Sequence, residues 1–462
     1  MKPSPDNTFC YYPFYQLALK YWKKDTGIVQ AAPCCNSQRP NNNFDPLQLE
    51  TKLKHYGDKG DHILPKEIFY GKEMTELRNS MLKGEKHPIC NVCWDMEDRT
   101  NTNENYNSYR LASFYKPDDL DVNNPKLLSI DFAFEETCNL RCRHCGPGLS
   151  NQHRIDLKFF RNNNYIIDTW GDHINLHEPS YVSNSENLTY NFDNEGPQWK
   201  SILDNIHELQ TIKATGGETL LTKSFNQFLD VAIEKDCAKN ITLEFHTNAT
   251  VFTSKMMEKL NHFKKINPTF SIDSVKKRYE YLRYPMIWDL LQKSVHKFIN
   301  TIGKDKVDII HINSVINVIT AFDYKELCEW TKQIGKVSGN EVHLWIDELW
   351  PKDKAINITF LPHSILKDLK NEYQQLINEY NIIGKQRLKY VSIRDDRFFL
   401  KDIRSVFFSC KHIINLIEEE LSKKENPQRE KMLYEIQAFD ASRKQDYHDF
   451  VHPKLIEFLD GK

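Results

Sequence analysis

Between residues 126 and 350, short runs rich in β-branched and aromatic residues alternate with longer segments in which apolar residues recur every three or four positions. Six of these runs have the length and composition of strands: 127–134, 209–215, 241–247, 269–273, 307–319 and 341–346. The segments 224–237 and 324–334 lie between them and have the apolar spacing of amphipathic helices. Strands that alternate with helices indicate βαβ units, so the pattern predicts an α/β fold with a parallel sheet.

Three regions of different texture divide the chain. Residues 1–120 are rich in loop-forming residues and hold five cysteines, so we expect a cysteine-rich N-terminal domain that ends in a polar linker. Residues 126–350 carry the alternating pattern, and six βα units are typical of a partial (β/α)6, TIM-like barrel rather than a complete one. Residues 355–462 show helical apolar spacing and predict a mostly helical C-terminal region of unknown role. The polar stretch 162–199 interrupts the barrel pattern and is interpreted as a lid, a binding loop or surface decoration.

The composition argues against several classes of protein. The 462-residue chain has 62 Lys and Arg against 64 Asp and Glu, so its formal net charge of -2 gives no general attraction to nucleic acid or to an anionic membrane. No apolar run approaches about 18 residues, and no apolar segment follows Met1, so we expect a cytoplasmic protein without a membrane span. The 11 cysteines are an odd number, which argues against a disulfide framework and indicates metal binding or redox chemistry.

The most informative passage is a cysteine triplet directly after the first predicted strand of the barrel. Cys138, Cys142 and Cys145 form the pattern Cys-x3-Cys-x2-Cys. Three thiolates hold three corners of a 4Fe–4S cluster and leave one iron open to another ligand. A buried stripe of cysteines is the alternative, because these three positions share one helical face. Gly146 and Pro147 argue against that alternative, since both disfavour a helix there.

This triplet resembles the signature of the radical S-adenosylmethionine (SAM) superfamily. The resemblance implies that Cys138, Cys142 and Cys145 ligate the cluster and that its open iron binds the amino and carboxylate groups of SAM. One electron from an external reductant of the flavodoxin or ferredoxin type then cleaves SAM into methionine and a 5′-deoxyadenosyl radical, which abstracts hydrogen from a substrate. The family usually has an aromatic residue before the third cysteine. His144 stands there and is expected to contact the adenine side of SAM.

Two later motifs follow the triplet in the order that the family has. Gly216, Gly217 and Glu218 follow the second predicted strand and are similar to the family's Gly-Gly-Glu motif, which binds the methionyl amino group. Glycines let backbone groups approach a ligand, and the carboxylate accepts hydrogen bonds from an amine, although such a motif alone is more often a turn. Asn248 ends the third strand in a segment that resembles the family's Thr-Asn-Gly. We therefore assign these four residues to SAM binding.

Four further residues, at or after later predicted strands, are candidates for the SAM site. In the subfamily with auxiliary clusters, a serine and an arginine at such places meet the ribose and the carboxylate of SAM, which implies these roles for Ser271 and Arg283. Asp273 and Asn317 also follow predicted strands, where barrel enzymes place their site residues. Each of these side chains has the capping of a helix as its alternative role.

The N-terminal cysteines predict a second site. Cys90 and Cys93 form a Cys-x2-Cys clamp, and Cys10, Cys34 and Cys35 precede it. Four cysteines are also the ligand set of a structural zinc site, and the spacing leaves that alternative open. The pattern resembles the Twitch domain, the relative of the SPASM domain with one auxiliary cluster. That resemblance implies an auxiliary 4Fe–4S cluster on Cys10, Cys34, Cys90 and Cys93, with Cys35 able to replace Cys34.

The position of this module departs from the family pattern, because such domains usually follow the barrel and here the module precedes it. Three cysteines remain outside both sets. Cys410 is interpreted as a helix residue rather than a further ligand, and Cys237 and Cys328 are expected in the core, since they lie on amphipathic segments.

The sequence thus predicts an oxidoreductase of the radical SAM type that acts on a peptide or protein, because Twitch-bearing relatives often modify peptides. A small molecule or RNA is the alternative substrate, and the balanced charge argues against nucleic acid. A zinc- or cluster-stabilised binding protein without catalysis is the alternative of a different class. Asp347 and Glu348, just past the last predicted strand, are interpreted as solvated surface residues.

Overall fold

The computed structural model describes residues 3, 7–20, 30–35, 37, 64–99, 110, 120–133, 135–147, 149–167, 195–349, 354–381 and 401–462. The chain divides into two units, and each is described by itself. The first unit comprises Met1–Glu135, Tyr190–Phe245 and Glu258–Ile266. The second unit comprises Glu136–Thr189, His246–Met257 and Asn267–Lys462.

The first unit contains strands β1 (Gln16–Lys20), β2 (Gln30–Ala32), β3 (Ser129–Ala133), β4 (Thr211–Thr215) and the start of β5 (Thr242–Thr247). Their order is β2-β1-β3-β4-β5, with β2 antiparallel to β1 and the other pairs parallel. Strands β1 and β2 come from the segment that the sequence assigns to the cysteine-rich domain, yet β1 pairs with β3 and so joins them to the same sheet. The helices that lie wholly in this unit are α1 (Pro65–Tyr70), α2 (Lys72–Lys83), α3 (Asn91–Arg99), α5 (Pro197–Asp204) and α6 (Lys223–Glu234).

One face of this part of the sheet forms an apolar core. Alternate residues of β3, β4 and β5 are buried and apolar: Ile130, Phe132, Ile212, Ala214, Leu243 and Phe245. The ring of Phe132 meets Trp199 of α5 edge to face at 5.3 Å, and Phe245 lies 6.0 Å from Phe225 of α6. The period-two alternation therefore directs one face of each strand against the helices, as β geometry requires.

The second unit contains β6 (Lys265–Ser271), whose first two residues belong to the first unit, together with β7 (Ile309–Ile316) and β8 (Glu341–Glu348). The pairs β6–β7 and β7–β8 are parallel. The remaining helices are α4 (His153–Asn162), α7 (Ser254–Asn261), α8 (Lys276–Leu282), α9 (Trp288–Thr301), α10 (Tyr324–Ser338), α11 (His363–Asn381), α12 (Lys401–Leu421), α13 (Arg429–Arg443) and α14 (Pro453–Asp460), of which α7 continues into the first unit.

Helix α12 protects the free edge of β8. The backbone N–H of Ile346 donates to Ser409 Oγ at 3.0 Å, and that hydroxyl donates to the Leu344 carbonyl at 3.5 Å. An edge strand leaves backbone groups open to pairing with another chain, and a covering helix prevents this. Part of the C-terminal region therefore completes the sheet.

Helices α4 and α13 share a small apolar core in the second unit. It consists of Leu157, Phe160, Ile167, Ala438 and Phe439, all buried. Phe160 and Phe439 meet edge to face at 5.2 Å. Ile167 lies within the predicted insertion 162–199, and residues 168–194 of that insertion lie outside the described residues.

The predicted fold class is confirmed. Among the described residues the fold is mixed α/β, with eight strands in a mostly parallel sheet that does not close into a full barrel, and with a helical C-terminal region. No helix in the described ranges is long and apolar enough to cross a membrane.

The predicted strand 269–273 is wrong at both ends, because β6 begins at Lys265 and ends at Ser271. The reason is Pro268, which has no N–H to donate and is therefore a natural place to begin a strand. Asn267 supports the ladder beside this proline, since its Oδ1 accepts from the backbone of Asp308 and Ile309 at 3.1 and 3.4 Å.

Candidate functional site

The cysteine triplet lies in a loop after β3. Residues 135–147 contain no helix or strand, so the alternative of a helical stripe of cysteines is wrong. Cys142 is buried, and Cys138 and Cys145 are half-buried. The side chains of Cys142 and Cys145 interact directly, and this hydrogen bond lowers the pKa of Cys145 to about 7 while it raises the pKa of Cys142. The loop therefore brings the Cys142 thiol into contact with that of Cys145 and within electrostatic range of that of Cys138.

Three N–H donors approach these sulfurs. The backbone N–H of Leu140 donates to Cys138 Sγ at 3.4 Å, and Asn248 Nδ2 lies 3.9 Å from the same atom. Arg283 Nη1 lies 3.9 Å from Cys142 Sγ. Donors near sulfur favour the thiolate form, which is the form that binds metal. Asn248 and Arg283, both assigned from the sequence, thus lie beside the cysteine loop.

Asp273 holds Arg283 in this position. Arg283 Nε donates to Asp273 Oδ2 at 2.5 Å, and Asp273 Oδ1 accepts from the Val315 N–H of β7 at 2.8 Å. Burial opposes the charge on Asp273, but Arg283 outweighs it and the pKa of Asp273 is lowered. Ser271 is the last residue of β6, two positions before Asp273. Asp273 therefore orients Arg283 from one strand end while it accepts a hydrogen bond from the next strand.

His144 belongs to the same network. Its Nε2 lies 4.0 Å from Asp273 Oδ2. Burial lowers the pKa of His144 to about 3, so the ring is neutral at physiological pH. The buried Lys354 donates through Nζ to the His144 carbonyl, next to Cys145. Sequence reasoning missed Lys354, because 209 residues separate it from Cys145 and no motif surrounds it.

A buried carboxylate holds the first of two arginines in the loop. Arg141 Nη1 donates to Asp156 Oδ1 of α4 at 2.8 Å. Arg443 of α13 donates to Asp156 Oδ2 at 3.0 Å and to the Arg141 carbonyl at 2.6 Å. Burial opposes the charge on Asp156, yet His153 and Arg443 together hold its pKa well below the ordinary value.

The second arginine, Arg143, is held by α13. Its Nη2 donates to Asp440 Oδ1 at 2.5 Å, and its Nε donates to the Tyr281 carbonyl at 3.0 Å. The guanidinium lies 3.7 Å from the ring centre of Tyr281, whose hydroxyl also donates to Asp440 at 2.7 Å. Because Arg141 and Arg143 flank Cys142, the C-terminal helix fixes the backbone on both sides of a predicted ligand.

The Gly-Gly-Glu segment belongs to the first unit, whereas the cysteine loop belongs to the second. Gly216 has a φ of 141°, which side chains rarely adopt, so glycine is required there. The Gly217 N–H donates to the Glu135 carbonyl at 2.9 Å. Glu218 is fully buried, and its carboxylate accepts from the Leu220 N–H at 3.2 Å. The segment forms a fixed turn after β4, and Glu218 begins a short 3-10 helix there.

Four of the N-terminal cysteines line one cavity in the first unit. Cys10, Cys34, Cys90 and Cys93 line a small cavity of about 20 Å³, together with Arg110. Burial, reinforced by the neighbouring thiols, raises the pKa of Cys10 and Cys90 and raises that of Cys93 to about 12. Four thiols that disfavour one another's ionisation fit a site in which metal stabilises the thiolates.

Within the ranges that the structure describes, no group of three or more His, Cys, Asp or Glu side chains is arranged to hold a single metal ion. The thiols of a 4Fe–4S cluster bind different iron atoms and therefore surround a volume rather than one point. Cys10, Cys34, Cys90 and Cys93 all line one cavity.

The remaining cysteines lie elsewhere. Cys35 does not line the cavity, and its Sγ accepts from Lys213 Nζ at 3.3 Å. Cys410 of α12 is fully buried, and its thiol interacts electrostatically with the buried Cys328. Cys237 is also buried, and its Sγ donates to the Lys235 carbonyl at 3.3 Å. Of the predicted surface residues, Glu348 pairs with His412 of α12 at 3.0 Å.

No family model matches this sequence, and no curated protein sequence matches it. Among solved structures, Streptococcus suis SuiB bound to S-adenosylmethionine is 16% identical over 56% of this chain and 48% of that chain, with a TM-score of 0.33. SuiB bound to the precursor peptide SuiA is 13% identical over 71% of this chain and 65% of that chain, with a TM-score of 0.32. The structure of anSMEcpe with bound AdoMet and Cp18Cys peptide is 14% identical over 72% of this chain and 98% of that chain, with a TM-score of 0.32.

The chain thus spans about half the length of SuiB in the first of these matches. Likenesses with TM-scores of this size carry no argument about activity. The function is therefore argued from the residues of this chain.

Proposed function

We propose that the chain is a radical SAM enzyme whose cysteine loop holds a 4Fe–4S cluster on Cys138, Cys142 and Cys145. When bound, that cluster supplies the electron that cleaves SAM to methionine and a 5′-deoxyadenosyl radical, which abstracts hydrogen from the substrate. The observation that supports the proposal is the loop itself, because the Cys142 thiol interacts with those of Cys138 and Cys145 in a non-helical segment whose two arginines are both held by buried carboxylates.

The neighbouring residues have distinct roles in this proposal. Arg283 and Asn248 place N–H groups beside the sulfurs, and such donors stabilise the reduced state of a cluster. Asp273 orients Arg283, and the neutral ring of His144 is free of a charge that would oppose the cationic sulfonium. Ser271 contributes its hydroxyl to SAM. Gly216, Gly217 and Glu218 bind the methionyl amine.

The N-terminal cavity holds an auxiliary 4Fe–4S cluster in this proposal, on Cys10, Cys34, Cys90 and Cys93. Four soft ligands around one buried volume support it. The cluster either relays an electron or orients the substrate. The similarity of these cysteines to the Twitch module supports a peptide or protein substrate, and an external one-electron donor of the flavodoxin or ferredoxin type supplies the reducing equivalents.

The test is formation of 5′-deoxyadenosine by the full chain, purified and reconstituted without oxygen and supplied with SAM and dithionite. We expect product from the wild type and from the control Cys237→Ala, whose cysteine belongs to neither thiol set. We expect none from Cys142→Ala. A wild-type protein that carries reduced cluster by electron paramagnetic resonance but forms no 5′-deoxyadenosine contradicts the proposal.

A further inference from the structure

The sheet of the first unit has a second face, which is polar. On β3, β4 and β5 the positions between the buried apolar residues are Ser129, Asp131, Thr211, Lys213, Thr215, Thr242 and Glu244. Strands of a parallel sheet are usually covered on both faces and read as continuous apolar runs. The strict alternation here indicates that the second face borders polar groups rather than a packed core.

Three charged residues of this face lie side by side. The strand register pairs Asp131 with Lys213 and Lys213 with Glu244, so the three side chains form one row across β3, β4 and β5. Lys213 Nζ lies 3.5 Å from Asp131 Oδ2 and donates to Cys35 Sγ at 3.3 Å. One ammonium therefore stands between two carboxylates.

The row contains polar groups that no hydrogen bond from the described residues satisfies, although Lys213 Nζ lies 3.5 Å from one oxygen of Asp131. Asp131 is fully buried, and neither of its carboxylate oxygens accepts a hydrogen bond from the described residues. Thr211 precedes Lys213 on the same face, and its buried hydroxyl also has no hydrogen-bond partner there. A buried polar group without partners is costly, so such groups require an explanation. A carboxylate only accepts hydrogen bonds, so the groups that satisfy Asp131 are donors.

The charges of the row also favour a ligand that is a cation. Burial raises the pKa of Glu244, and Asp131 raises it further against the opposing effect of Lys213. Lys213 therefore does not offset the burial of the Glu244 carboxylate. The row is reached from its Lys213 and Glu244 end, since 27% of the Lys213 side chain is exposed and Glu244 is half-buried, whereas Asp131 is fully buried.

We propose that Asp131, Glu244 and Thr211 form a binding site for a cationic group with several N–H donors, the ammonium or guanidinium of a lysine or arginine side chain in the substrate. This inference deepens the proposed function and rests on it for the identity of the ligand as substrate. Lys213 lies between the two carboxylates and moderates their charge when the site is empty of a cation. Charge-assisted hydrogen bonds of this kind are short and strong, and a guanidinium matches a carboxylate in two places at once.

The experiment is isothermal titration calorimetry of the reconstituted full chain without SAM or reductant. The probes are n-butylguanidinium, n-butylammonium and butyrate. We expect millimolar binding of at least one cation and none of butyrate, and comparison of the two cations distinguishes an arginine-like from a lysine-like ligand. Asp131→Asn and Glu244→Gln each weaken cation binding by about tenfold or more, since each loses a charge-assisted hydrogen bond.

Lys213→Met tests whether the site prefers a positively charged ligand. It removes a positive charge that competes with the ligand, so we expect it to strengthen cation binding. The matched control is Glu208→Gln, which neutralises an acid of the same unit that is 41% exposed and pairs with Lys66. This control leaves binding unchanged.

Three results overturn the inference: no cation binding to the wild type, butyrate binding that Lys213→Met abolishes, or equal losses in Glu208→Gln and Glu244→Gln. If circular dichroism shows that Asp131→Asn does not fold, the cation affinities of Glu244→Gln and Lys213→Met still test the inference. Cation binding is measured without turnover, so a protein that forms 5′-deoxyadenosine but binds no cation refutes this inference alone. A protein that binds the cation but forms no 5′-deoxyadenosine refutes only the proposed function.

Discussion

Asp440→Asn tests whether α13 holds the cysteine loop in place. The substitution keeps the shape of the side chain but leaves the Arg143 guanidinium without its counter-charge. Arg143 and Asp440 have side chains only 1% and 9% exposed, so water does not compensate. Loss of one partner of a buried ion pair costs about 3–5 kcal/mol. Asparagine keeps one oxygen that accepts from the Tyr281 hydroxyl, but its NH2 group then faces the Tyr447 N–H, which loses its acceptor. We therefore expect about 4 kcal/mol of unfolding free energy to be lost, within this range.

The assay is urea unfolding of the anaerobic protein followed by circular dichroism, with iron analysis of the same preparations. Asp446→Asn is the matched control, because Asp446 lies in the same region but is 62% exposed, and exposed pairs contribute about 0–1 kcal/mol. We expect Asp440→Asn to lose iron from the cysteine loop during purification. The control is expected to retain it.

A double variant distinguishes the effect of an unpaired buried charge from the effect of lost side-chain packing. Arg143→Met/Asp440→Leu removes both charges, and replacement of a buried ion pair by apolar residues is often neutral. We expect the double variant to be more stable than Asp440→Asn. The reasoning is refuted if Asp440→Asn unfolds at the same urea concentration as Asp446→Asn and retains full iron.

Three other outcomes are expected. Burial and two neighbouring cations lower the pKa of His452 to about 4 from 6.5, so the unfolded chain binds more protons between these values and stability falls as the pH drops through that window. The wild type is expected to lose unfolding free energy between about pH 7 and about pH 5, and His452→Phe is expected to reduce that loss by about 1 kcal/mol, a value that allows for the partial exposure of the ring. Urea unfolding at the two pH values measures it, and an equal loss in the variant and the wild type contradicts the prediction. Cys34→Ser is expected to lose the auxiliary cluster and Cys35→Ser to retain it, by iron analysis, and the reverse result would reassign the ligand. Phe439→Ala removes a ring from the core of α4 and α13 and is expected to cost about 3–5 kcal/mol in urea unfolding, whereas a loss below about 1 kcal/mol would show that this core is unimportant.

The strands and the cysteine loop were predictable from the sequence because their signals are local. Period-two alternation marks β4 and β5 almost to the residue, and Gly146 and Pro147 rule out a helix through the triplet. The bounds of β6 were predicted less well, because Pro268 lies within the strand and interrupts its local pattern. The side chain of Asn267 accepts a hydrogen bond from the backbone N–H of Asp308 there, and no sequence pattern predicts this contact.

The supports of the loop were not predictable. Arg143 and Asp440 are 297 residues apart, and an arginine or an aspartate in a helical pattern is ordinarily a surface residue. Lys354 and Asp156 likewise carry no motif. Their roles follow from tertiary packing, which brings buried charges of opposite sign together after the chain has folded. The C-terminal region, which matches no named pattern, supplies much of this support through α13.

The polar face of β3, β4 and β5 is an intermediate case. The alternation of Asp131 and Lys213 with apolar neighbours is visible in the sequence. Their alignment into one row with Glu244 depends on the strand register, which the sequence does not display.

The most direct test of the central claim is an iron and sulfide count on anaerobically purified protein. The wild type is compared with the triple variant Cys138→Ala/Cys142→Ala/Cys145→Ala. Two 4Fe–4S clusters predict about eight irons in the wild type and about four in the triple variant. About four irons in both proteins would place the only cluster in the N-terminal cavity and contradict the assignment of the cysteine loop.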